Sequence, residues 1–270
     1  ILCVGGNKFD KEIISKLSPS VKIIANYAVG YNNVDTDSAK SRGIVVTNTP
    51  EVLTDSTADI SILLLLGASR RAYEGRKAAE QQNWTWSTSL LLGKEMSNRK
   101  LGILGMGRIG RAVAQRAKGF GMEIHYHNRS KLSPDLEHGA IYHPDIKSLF
   151  AQSEFLSLNC PATPDTINLL NEETIKYLPD GAVVANAARG DVINDDAMIK
   201  AMKSGKIFAL GLDVYNGEPK INEEYLKLDN LFLLPHLGSA TKVTRIGMGD
   251  RAIDNLHDFF SNKKPKDQVN

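Results

Sequence analysis

Several features are scarce in this sequence, and each scarcity excludes a class of protein. The 270 residues include two cysteines, Cys3 and Cys160, which lie far apart in apolar stretches. We therefore expect no disulfide framework and a reducing compartment. The longest apolar run, ISILLLLGA at 60–68, is shorter than the about 20 residues that cross a bilayer, and it favours a helix buried on most sides. No charged leader precedes an apolar core at the start, so we expect no signal peptide and a cytoplasmic location.

An excess of charge of one sign is also lacking. Lys and Arg together number 33 against 31 for Asp and Glu, which argues against binding to nucleic acid or to a membrane surface. Six histidines are present, but no cysteines or carboxylates join them at the spacing of metal ligands, so we predict no metal site. With 42% hydrophobic residues the chain can bury one large core or two moderate ones.

Short apolar runs alternate with helical periodicity along almost the whole chain. This rhythm predicts repeated βα units and a mostly parallel sheet, which is an α/β fold. We place a domain boundary near residue 50, so that residues 51–240 form one domain and residues 1–50 form a smaller one, completed by a C-terminal helix at 241–270. The predicted strands lie at 1–4, 21–26, 43–48, 101–104, 123–127, 140–142, 155–159, 182–186, 208–212 and 231–234.

The stretch LGILGMGRIG at 101–110 contains glycines in the G-x-G-x-x-G spacing. An apolar strand runs into the first glycine and an amphipathic helix follows the last, which is the context of a dinucleotide-binding turn. The first glycine permits the tight turn, the second lets backbone approach a pyrophosphate, and the third lets helix and strand pack closely. The alternative is a glycine-rich turn without a ligand. The predicted cofactor contacts in this turn are Gly105, Met106, Gly107, Arg108, Ile109 and Gly110.

The strand predicted at 123–127 lacks the acidic residue that normally follows such a strand and accepts a hydrogen bond from a ribose hydroxyl. Asn128, Arg129 and Ser130 stand there instead. A guanidinium can pair with a phosphate, and the amide and hydroxyl can donate to it. We therefore predict that NADP(H) is preferred, with NAD(H) as the alternative cofactor if the site tolerates both.

Chemically active residues follow three later strands. Arg189 comes after the strand at 182–186, Asp213 and Glu218 come after the strand at 208–212, and His236 comes after the strand at 231–234. Carboxyl ends of parallel strands share one edge, where ligands bind. This set suits hydride transfer to a 2-keto acid: a guanidinium grips the carboxylate, a protonated imidazole donates to the carbonyl oxygen, and a carboxylate orients the imidazole. Asp213 would lie near the nicotinamide. Individually, each residue has a simpler interpretation as a loop cation, a turn residue or a strand-end cap.

These residues occur within stretches that resemble the D-isomer-specific 2-hydroxyacid dehydrogenases, and most closely the glyoxylate/hydroxypyruvate reductases among them. The stretches are NYAVGYNNVD (26–35), TADISILLLLGASRR (57–71), LGILGMGRIG (101–110), NAARGDVIN (186–194), GLDVYNGEP (211–219) and LPHLGSAT (234–241). The resemblance implies a Rossmann-type, doubly wound parallel sheet as the dinucleotide-binding domain. It also implies a smaller flavodoxin-like substrate domain, which we expect to be N-terminally truncated and incomplete here.

The resemblance also implies roles for individual residues. The catalytic trio falls on Arg189, Glu218 and His236, and the small 2-keto acid is reduced by NADPH with His236 as proton donor. The substrate contacts implied are Val29, Gly30, Arg189 and His236. The further cofactor contacts implied are Thr57, Cys160, Pro161, Thr166, Ala187, Ala188, Asp213, His236 and Gly238. Family members are usually homodimers, so we expect one here. The alternative is a dinucleotide-sensing scaffold on the same fold that catalyses nothing.

Overall fold

The computed structural model describes residues 1–82 and 84–270. Its contacts divide the chain into two compact units. The smaller unit consists of Ile1–Ser56 and Ser239–Asn270, and the larger unit consists of Thr57–Gly238. The boundary between them falls within a long helix.

The described strands are β1 (Leu2–Val4), β2 (Ile23–Tyr27), β3 (Val45–Thr47), β4 (Lys100–Leu104), β5 (Glu123–His127), β6 (Ile141–Tyr142), β7 (Phe155–Leu158), β8 (Ala182–Asn186), β9 (Ile207–Leu212) and β10 (Leu231–Leu233). The described α-helices are α1 (Lys11–Lys16), α2 (Thr36–Ser41), α3 (Thr54–Ser69), α4 (Ala72–Gln81), α5 (Arg108–Lys118), α6 (Pro134–Glu137), α7 (Ile146–Ala151), α8 (Glu172–Ile175), α9 (Asp195–Lys203) and α10 (Lys242–Phe260). Short 3₁₀ turns lie at Gly190–Val192 and Tyr225–Lys227.

The smaller unit is built on a parallel sheet with β2 between β1 and β3. The C-terminal helix ends at Phe260 and not at 270 as predicted, and the residues after it pair beside β3, where Gln268 forms an antiparallel bridge with Thr47. Arg251 of α10 holds this tail, because its guanidinium donates to both oxygens of Asp267 at 2.7 and 2.8 Å. A two-point bond of this kind, on a carboxylate that is 8% exposed, fixes the tail to the helix.

Helix α10 turns a different face inward from the one its apolar residues suggest. Its buried residues are Thr244, Met248, Ala252 and Asn255. The apolar side chains of Val243, Ile246, Ile253 and Phe260 are exposed. Asn255 accounts for part of the difference, because its amide and carbonyl exchange hydrogen bonds with Asp267 at 3.0 and 3.1 Å. A polar contact therefore contributes to the orientation of this helix.

The larger unit contains a parallel sheet in the order β10-β9-β8-β7-β4-β5-β6. From β4 the chain runs outward through β5 and β6, then returns to the other side of β4 with β7. The carboxyl ends of β4 and β7 thus form the topological switch point, where open α/β sheets bind ligands. Helices cover both faces: α3 and α5 pack on one side of the sheet, and α7, α8 and α9 pack on the other.

The apolar run at 60–68 lies in α3 and is mostly buried. Leu64 and Leu65 are fully buried, while Leu63 is exposed. The helix packs very closely on the sheet at Gly211 of β9. A Cβ there would lie 2.7 Å from the carbonyl oxygen of Leu64. Among the described residues, none of the helices combines the length and the apolar composition that a membrane-spanning helix requires.

Candidate active site

The glycine turn connects β4 to α5 at the switch point. Gly105 has a φ of +95°, and a Cβ there would lie 2.7 Å from the backbone nitrogen of Cys160. At Gly110 a Cβ would lie 2.2 Å from the carbonyl oxygen of Gly105. Both positions therefore exclude any side chain, for reasons of backbone conformation and packing. They hold the start of α5 directly against the end of β4.

Gly107 faces open space, unlike the other two glycines. Among the described residues, no heavy atom beyond its chain neighbours and the helix backbone lies within 4 Å of a Cβ built there. Gly107 is also the residue before α5, and within the described chain no side chain caps that helix start. Unsatisfied N–H groups at a helix start attract anions, so the turn fits a dinucleotide's pyrophosphate.

Asn128, after β5, supports this turn from the side. Its Oδ1 accepts a hydrogen bond of 2.7 Å from the N–H of Met106. Asn128 is half-buried, whereas Arg129 and Ser130 are exposed. The three residues at the expected ribose position thus divide into one that braces the glycine turn and two that face solvent.

The end of β7 forms the other side of the switch point. Cys160 is buried, and burial raises the pKa of its thiol to about 11, so it stays protonated near neutral pH. The chain then turns at Pro161, whose carbonyl oxygen accepts a 2.6 Å hydrogen bond from the hydroxyl of Thr166. This bond ties Thr166 to the strand end and keeps the loop beside the glycine turn.

The end of β8 presents Arg189 through a turn organised by Asn186. Asn186 is fully buried; its side-chain oxygen accepts from the N–H of Ala188 at 2.9 Å, and its amide donates to the carbonyl of Arg189 at 2.8 Å. Ala187, Ala188 and Arg189 are half-buried. Burial lowers the pKa of the Arg189 guanidinium, against the opposing pull of Glu218 and Asp191. A guanidinium with so high an ordinary pKa remains charged.

The turn after β10 is held by the carboxylate of Asp213. The two oxygens of Asp213 accept from the N–H groups of Leu237 at 2.6 Å and Gly238 at 2.8 Å. The hydroxyl of Thr57 donates to the carbonyl of Gly238 at 3.1 Å. Burial raises the pKa of Asp213, and these two N–H groups oppose that rise. The structure therefore gives Asp213 a role in shaping the turn at His236.

His236 and Glu218 meet at this edge of the sheet. Nδ1 of His236 lies 2.7 Å from Oε2 of Glu218, and Oε1 of Glu218 accepts from the N–H of Tyr215 at 2.9 Å. His236 has a φ of +58°, a left-handed conformation that is uncommon for a residue other than glycine. Its side chain is half exposed.

Electrostatics in this pair favour a charged imidazole. The hydrogen bond to Glu218 raises the pKa of His236; burial opposes the rise, and so does the positive charge of Arg189. Burial alone would raise the pKa of Glu218, but its bonds to His236 and Tyr215 outweigh burial and lower it. The pair therefore tends towards imidazolium and carboxylate, which is the state of a proton donor beside its orienting group.

Val29 and Gly30 lie in the smaller unit, after β2. Their carbonyl oxygens accept from side-chain amides, that of Val29 from Asn48 at 2.8 Å and that of Gly30 from Asn26 at 2.9 Å. Within the part of the chain that the structure describes, no hydrogen bond uses the N–H of Val29 or of Gly30. A turn with its carbonyls fixed and its N–H groups unused suits an anion such as a carboxylate.

Sequence reasoning did not find three buried asparagines that shape these turns. Asn26, Asn48 and Asn186 each stand at or just after the end of an apolar strand and are at most 8% exposed. A lone polar residue at the end of such a strand is the signal that could have identified them, because a buried amide must find hydrogen-bond partners. The side chains of Asn48 and Asn186 bond to backbone groups of the following turn or of a neighbouring one. Asn26 bonds to the backbone of Gly30 and also to the side chains of Asn33 and Cys3.

Comparison with known proteins identifies the family. Residues 62–238 match the family model described as D-isomer specific 2-hydroxyacid dehydrogenase, NAD binding domain. A curated relative, the glyoxylate reductase of Thermococcus litoralis, is 44% identical over 271 residues, which cover 98% of this chain and 81% of the relative.

The chain belongs to the D-isomer-specific 2-hydroxyacid dehydrogenases.

Other members of the family agree with this result. The glycerate dehydrogenase of Hyphomicrobium methylovorum is 41% identical over 263 residues, covering 96% of this chain and 82% of the relative. A solved NADPH-dependent glyoxylate/hydroxypyruvate reductase from Sinorhizobium meliloti, in complex with NADP and malonate, has a TM-score of 0.90 at 35% identity and covers 100% of this chain and 83% of its own. The family, the Rossmann-type α/β fold and the oxidoreductase class predicted from the sequence are thus confirmed, with a nicotinamide dinucleotide as cofactor.

Proposed function

We propose that this dehydrogenase reduces a small 2-keto acid, glyoxylate or hydroxypyruvate, to the 2-hydroxy acid with NADPH. The observation that carries the proposal is the 2.7 Å contact of His236 with Glu218, on the sheet edge that also presents Arg189. Relatives named glyoxylate reductase support the substrate class. The alternative, a scaffold that binds a dinucleotide without catalysis, does not explain why a carboxylate contacts an imidazole at this position.

The reaction divides between the cofactor and the protein. NADPH, when bound, supplies a hydride to the carbonyl carbon of the keto acid. His236 donates the proton that the carbonyl oxygen takes up, from Nε2, since Nδ1 faces Glu218. Glu218 stabilises the imidazolium before transfer and holds the ring in place. The neutral imidazole then takes a proton from solvent.

Arg189 is proposed to bind the substrate carboxylate. The guanidinium of Arg189 offers paired N–H groups that match a carboxylate in two-point fashion. Val29 and Gly30 of the smaller unit are proposed as substrate contacts on the resemblance to the family, through N–H groups that no hydrogen bond uses among the described residues. Fixing the carboxylate fixes the carbonyl, so that its oxygen points at the proton donor.

The cofactor is proposed to lie over the glycine turn with its pyrophosphate at Gly107 and the start of α5. Arg129, with Ser130, would pair with the 2′-phosphate of NADPH, which is the reason to prefer it over NADH. The residues proposed to contact its nicotinamide half are Thr57, Ala187, Ala188, Asp213, His236 and Gly238, and those proposed for its adenosine half, besides Asn128, Arg129 and Ser130, are Cys160, Pro161 and Thr166.

We propose a homodimer as the assembled form. The supporting observation is a group of exposed apolar side chains in and after the long helices of the larger unit. Leu63, Tyr73, Trp84, Trp86 and Leu92 are each between 44% and 75% exposed. Exposed aromatic side chains are enriched at protein interfaces. Sedimentation at several concentrations tests this expectation.

The activity is tested by a panel of 2-keto acids assayed with NADPH and with NADH. We expect the highest kcat/KM for glyoxylate or hydroxypyruvate with NADPH. Pyruvate, bulkier keto acids and phosphorylated keto acids serve as comparison substrates. NADPH binding without turnover of any keto acid would contradict the proposal and favour the sensing scaffold.

A further inference from the structure

Two side chains anchor the loop that carries Glu218: Tyr215, whose hydroxyl donates to the carbonyl oxygen of Leu234 at 2.7 Å, and Asn216. The amide of Asn216 donates to Oδ1 of Asp195 at 3.0 Å and to the carbonyl oxygen of Ile193 at 3.1 Å. Both partners lie outside the loop, at the start of α9. Gly217, with a φ of +72°, is the single residue between Asn216 and Glu218. Glu218 therefore lies only two residues after Asn216, so the bonds of Asn216 restrict where the Glu218 carboxylate can lie.

The carboxylate of Asp195 accepts hydrogen bonds from several polar side chains besides Asn216. Its Oδ1 also accepts from the hydroxyl of Tyr225 at 3.1 Å, and Asn222 hydrogen-bonds to the carboxylate as well. Tyr225 is 2% exposed, so the cluster is fixed against the core of the larger unit. Asp195 is the first residue of α9, where a helix start favours its negative charge. A satisfied cluster of this kind is rigid.

The same loop contacts the turn that presents Arg189. A Cβ at Gly190 would lie 2.0 Å from the backbone carbon of Tyr215 and 2.4 Å from the nitrogen of Asn216. Backbone therefore touches backbone between the residue after Arg189 and the loop of Glu218. Displacement of the loop would change the surroundings of both Glu218 and Arg189.

We propose that Asn216 and Asp195 are positioning residues: their hydrogen bond holds residues 216–218 so that the carboxylate of Glu218 meets Nδ1 of His236. The inference rests on the proposed function, in which His236 donates the proton. Neither residue is proposed to touch substrate or cofactor. They act through Glu218, and so through the charge state of the imidazole.

The charged groups that face His236 give the direction of the effect. Glu218 and Asp213 favour the charged imidazole, and Arg189 disfavours it. Asp213 is held separately, by the N–H groups of Leu237 and Gly238. When the loop shifts, Glu218 retreats while Arg189 still acts, so the pKa of His236 falls. Well above the pKa, each unit of such a fall lowers the protonated fraction about tenfold.

The test is the pKa of His236, followed by NMR of the protein with ¹⁵N-labelled histidine. Asn216→Ala and Asp195→Ala should each lower it towards the value measured in Glu218→Gln. Asp195→Asn should stay near wild type, because an amide oxygen still accepts from Asn216 and Tyr225. The matched control is Asn230→Ala, which removes a 2.6 Å bond from an amide to the carbonyl of Phe208, at the opposite ends of the strands.

An unchanged pKa of His236 in both alanine variants would overturn the proposal, whatever happens to their stability. An equal fall in Asn230→Ala would overturn it too, since the effect would then be general. If Asn216→Ala does not fold, the comparison of Asp195→Ala with Asp195→Asn decides. A wild-type protein that reduces no keto acid would refute the proposed function, and the NMR titration would still answer the positioning question. In an active enzyme, the basic limb of the kcat/KM profile should move with the same pKa.

Discussion

Glu218 holds His236 with one carboxylate oxygen and the backbone of its own loop with the other. The 2.7 Å contact to Nδ1 and the 2.9 Å contact from the N–H of Tyr215 together fix the carboxylate at both ends. The imidazole is thereby oriented through one nitrogen, which leaves Nε2 to present a proton. This relationship links the fold of the larger unit to the chemistry proposed for it.

The pH dependence of keto acid reduction should follow from this pair. The pKa of His236 is raised, so the protonated donor persists above the ordinary pKa of histidine, about 6.5, and is lost as pH rises through the raised value. We expect kcat/KM for reduction to be level at lower pH and to fall on the basic side. In Glu218→Gln the basic limb should move to lower pH, because the carboxylate that raises the pKa is gone. An identical limb in the two proteins would contradict the assignment.

The glycine turn offers a matched pair of variants. In Gly110→Ala the new methyl meets the carbonyl of Gly105 at 2.2 Å, so we expect a loss of about 1–3 kcal/mol in the free energy of unfolding. In Gly107→Ala the methyl enters open space, and the free energy of unfolding should change by less than about 0.5 kcal/mol. The dissociation constant for NADPH should nevertheless rise by about tenfold or more, because the methyl blocks the pyrophosphate.

Denaturant unfolding and fluorescence titration with NADPH measure the two effects separately. Wild-type NADPH affinity in a stably folded Gly107→Ala variant would show that the pyrophosphate lies elsewhere.

Asp213→Asn should weaken both the fold and the activity. Asp213 is 1% exposed and accepts two backbone N–H groups, and the new amide would turn a donor towards one of them. We expect a loss of about 1–3 kcal/mol of folding free energy and a lower kcat, because the turn that holds His236 moves. Asp196→Asn, an exposed carboxylate on α9, is the control for the loss of one charge. Equal effects of the two substitutions would argue against a special role for Asp213.

Arg129→Asp should change the preference between cofactors. The substitution replaces the proposed partner of the 2′-phosphate with a group that repels it and can accept from a 2′-hydroxyl. We expect the ratio of kcat/KM for NADPH to that for NADH to fall by at least about tenfold. Arg70→Asp makes the same change of net charge at another exposed arginine and should leave the ratio unaltered. A ratio unchanged in Arg129→Asp would remove the phosphate argument.

Strong local signals allowed much of the larger unit to be predicted from the sequence. The predicted limits of β5 and β8 coincide with those observed, and α5 follows the glycine turn as expected. In these elements, apolar residues recur with the period of a strand or a helix, and glycine or asparagine stands at the ends. The sequence pattern that predicts each element therefore lies within the element itself. Glu218 and His236, predicted as partners from their strand ends, are in hydrogen-bond contact.

Features that depend on tertiary contacts were not predictable in this way. Helix α4 has no buried residue among those described. It therefore lacks the core-facing apolar stripe by which a helix can be predicted from sequence. Helix α10 does have a stripe, but exposes much of it, because Asn255 contacts Asp267. The anchoring role of Asn216 likewise depends on Asp195, which is 21 residues away in sequence. None of these partners can be read from local pattern.

The most direct test of the central claim is turnover by His236→Ala beside its affinity for NADPH. We expect kcat for glyoxylate reduction to fall by about 10²–10⁴-fold, the usual contribution of a positioned proton donor. The dissociation constant for NADPH should remain close to wild type, and His257→Ala, an exposed histidine of α10, should turn over normally. Wild-type turnover in His236→Ala would contradict the account.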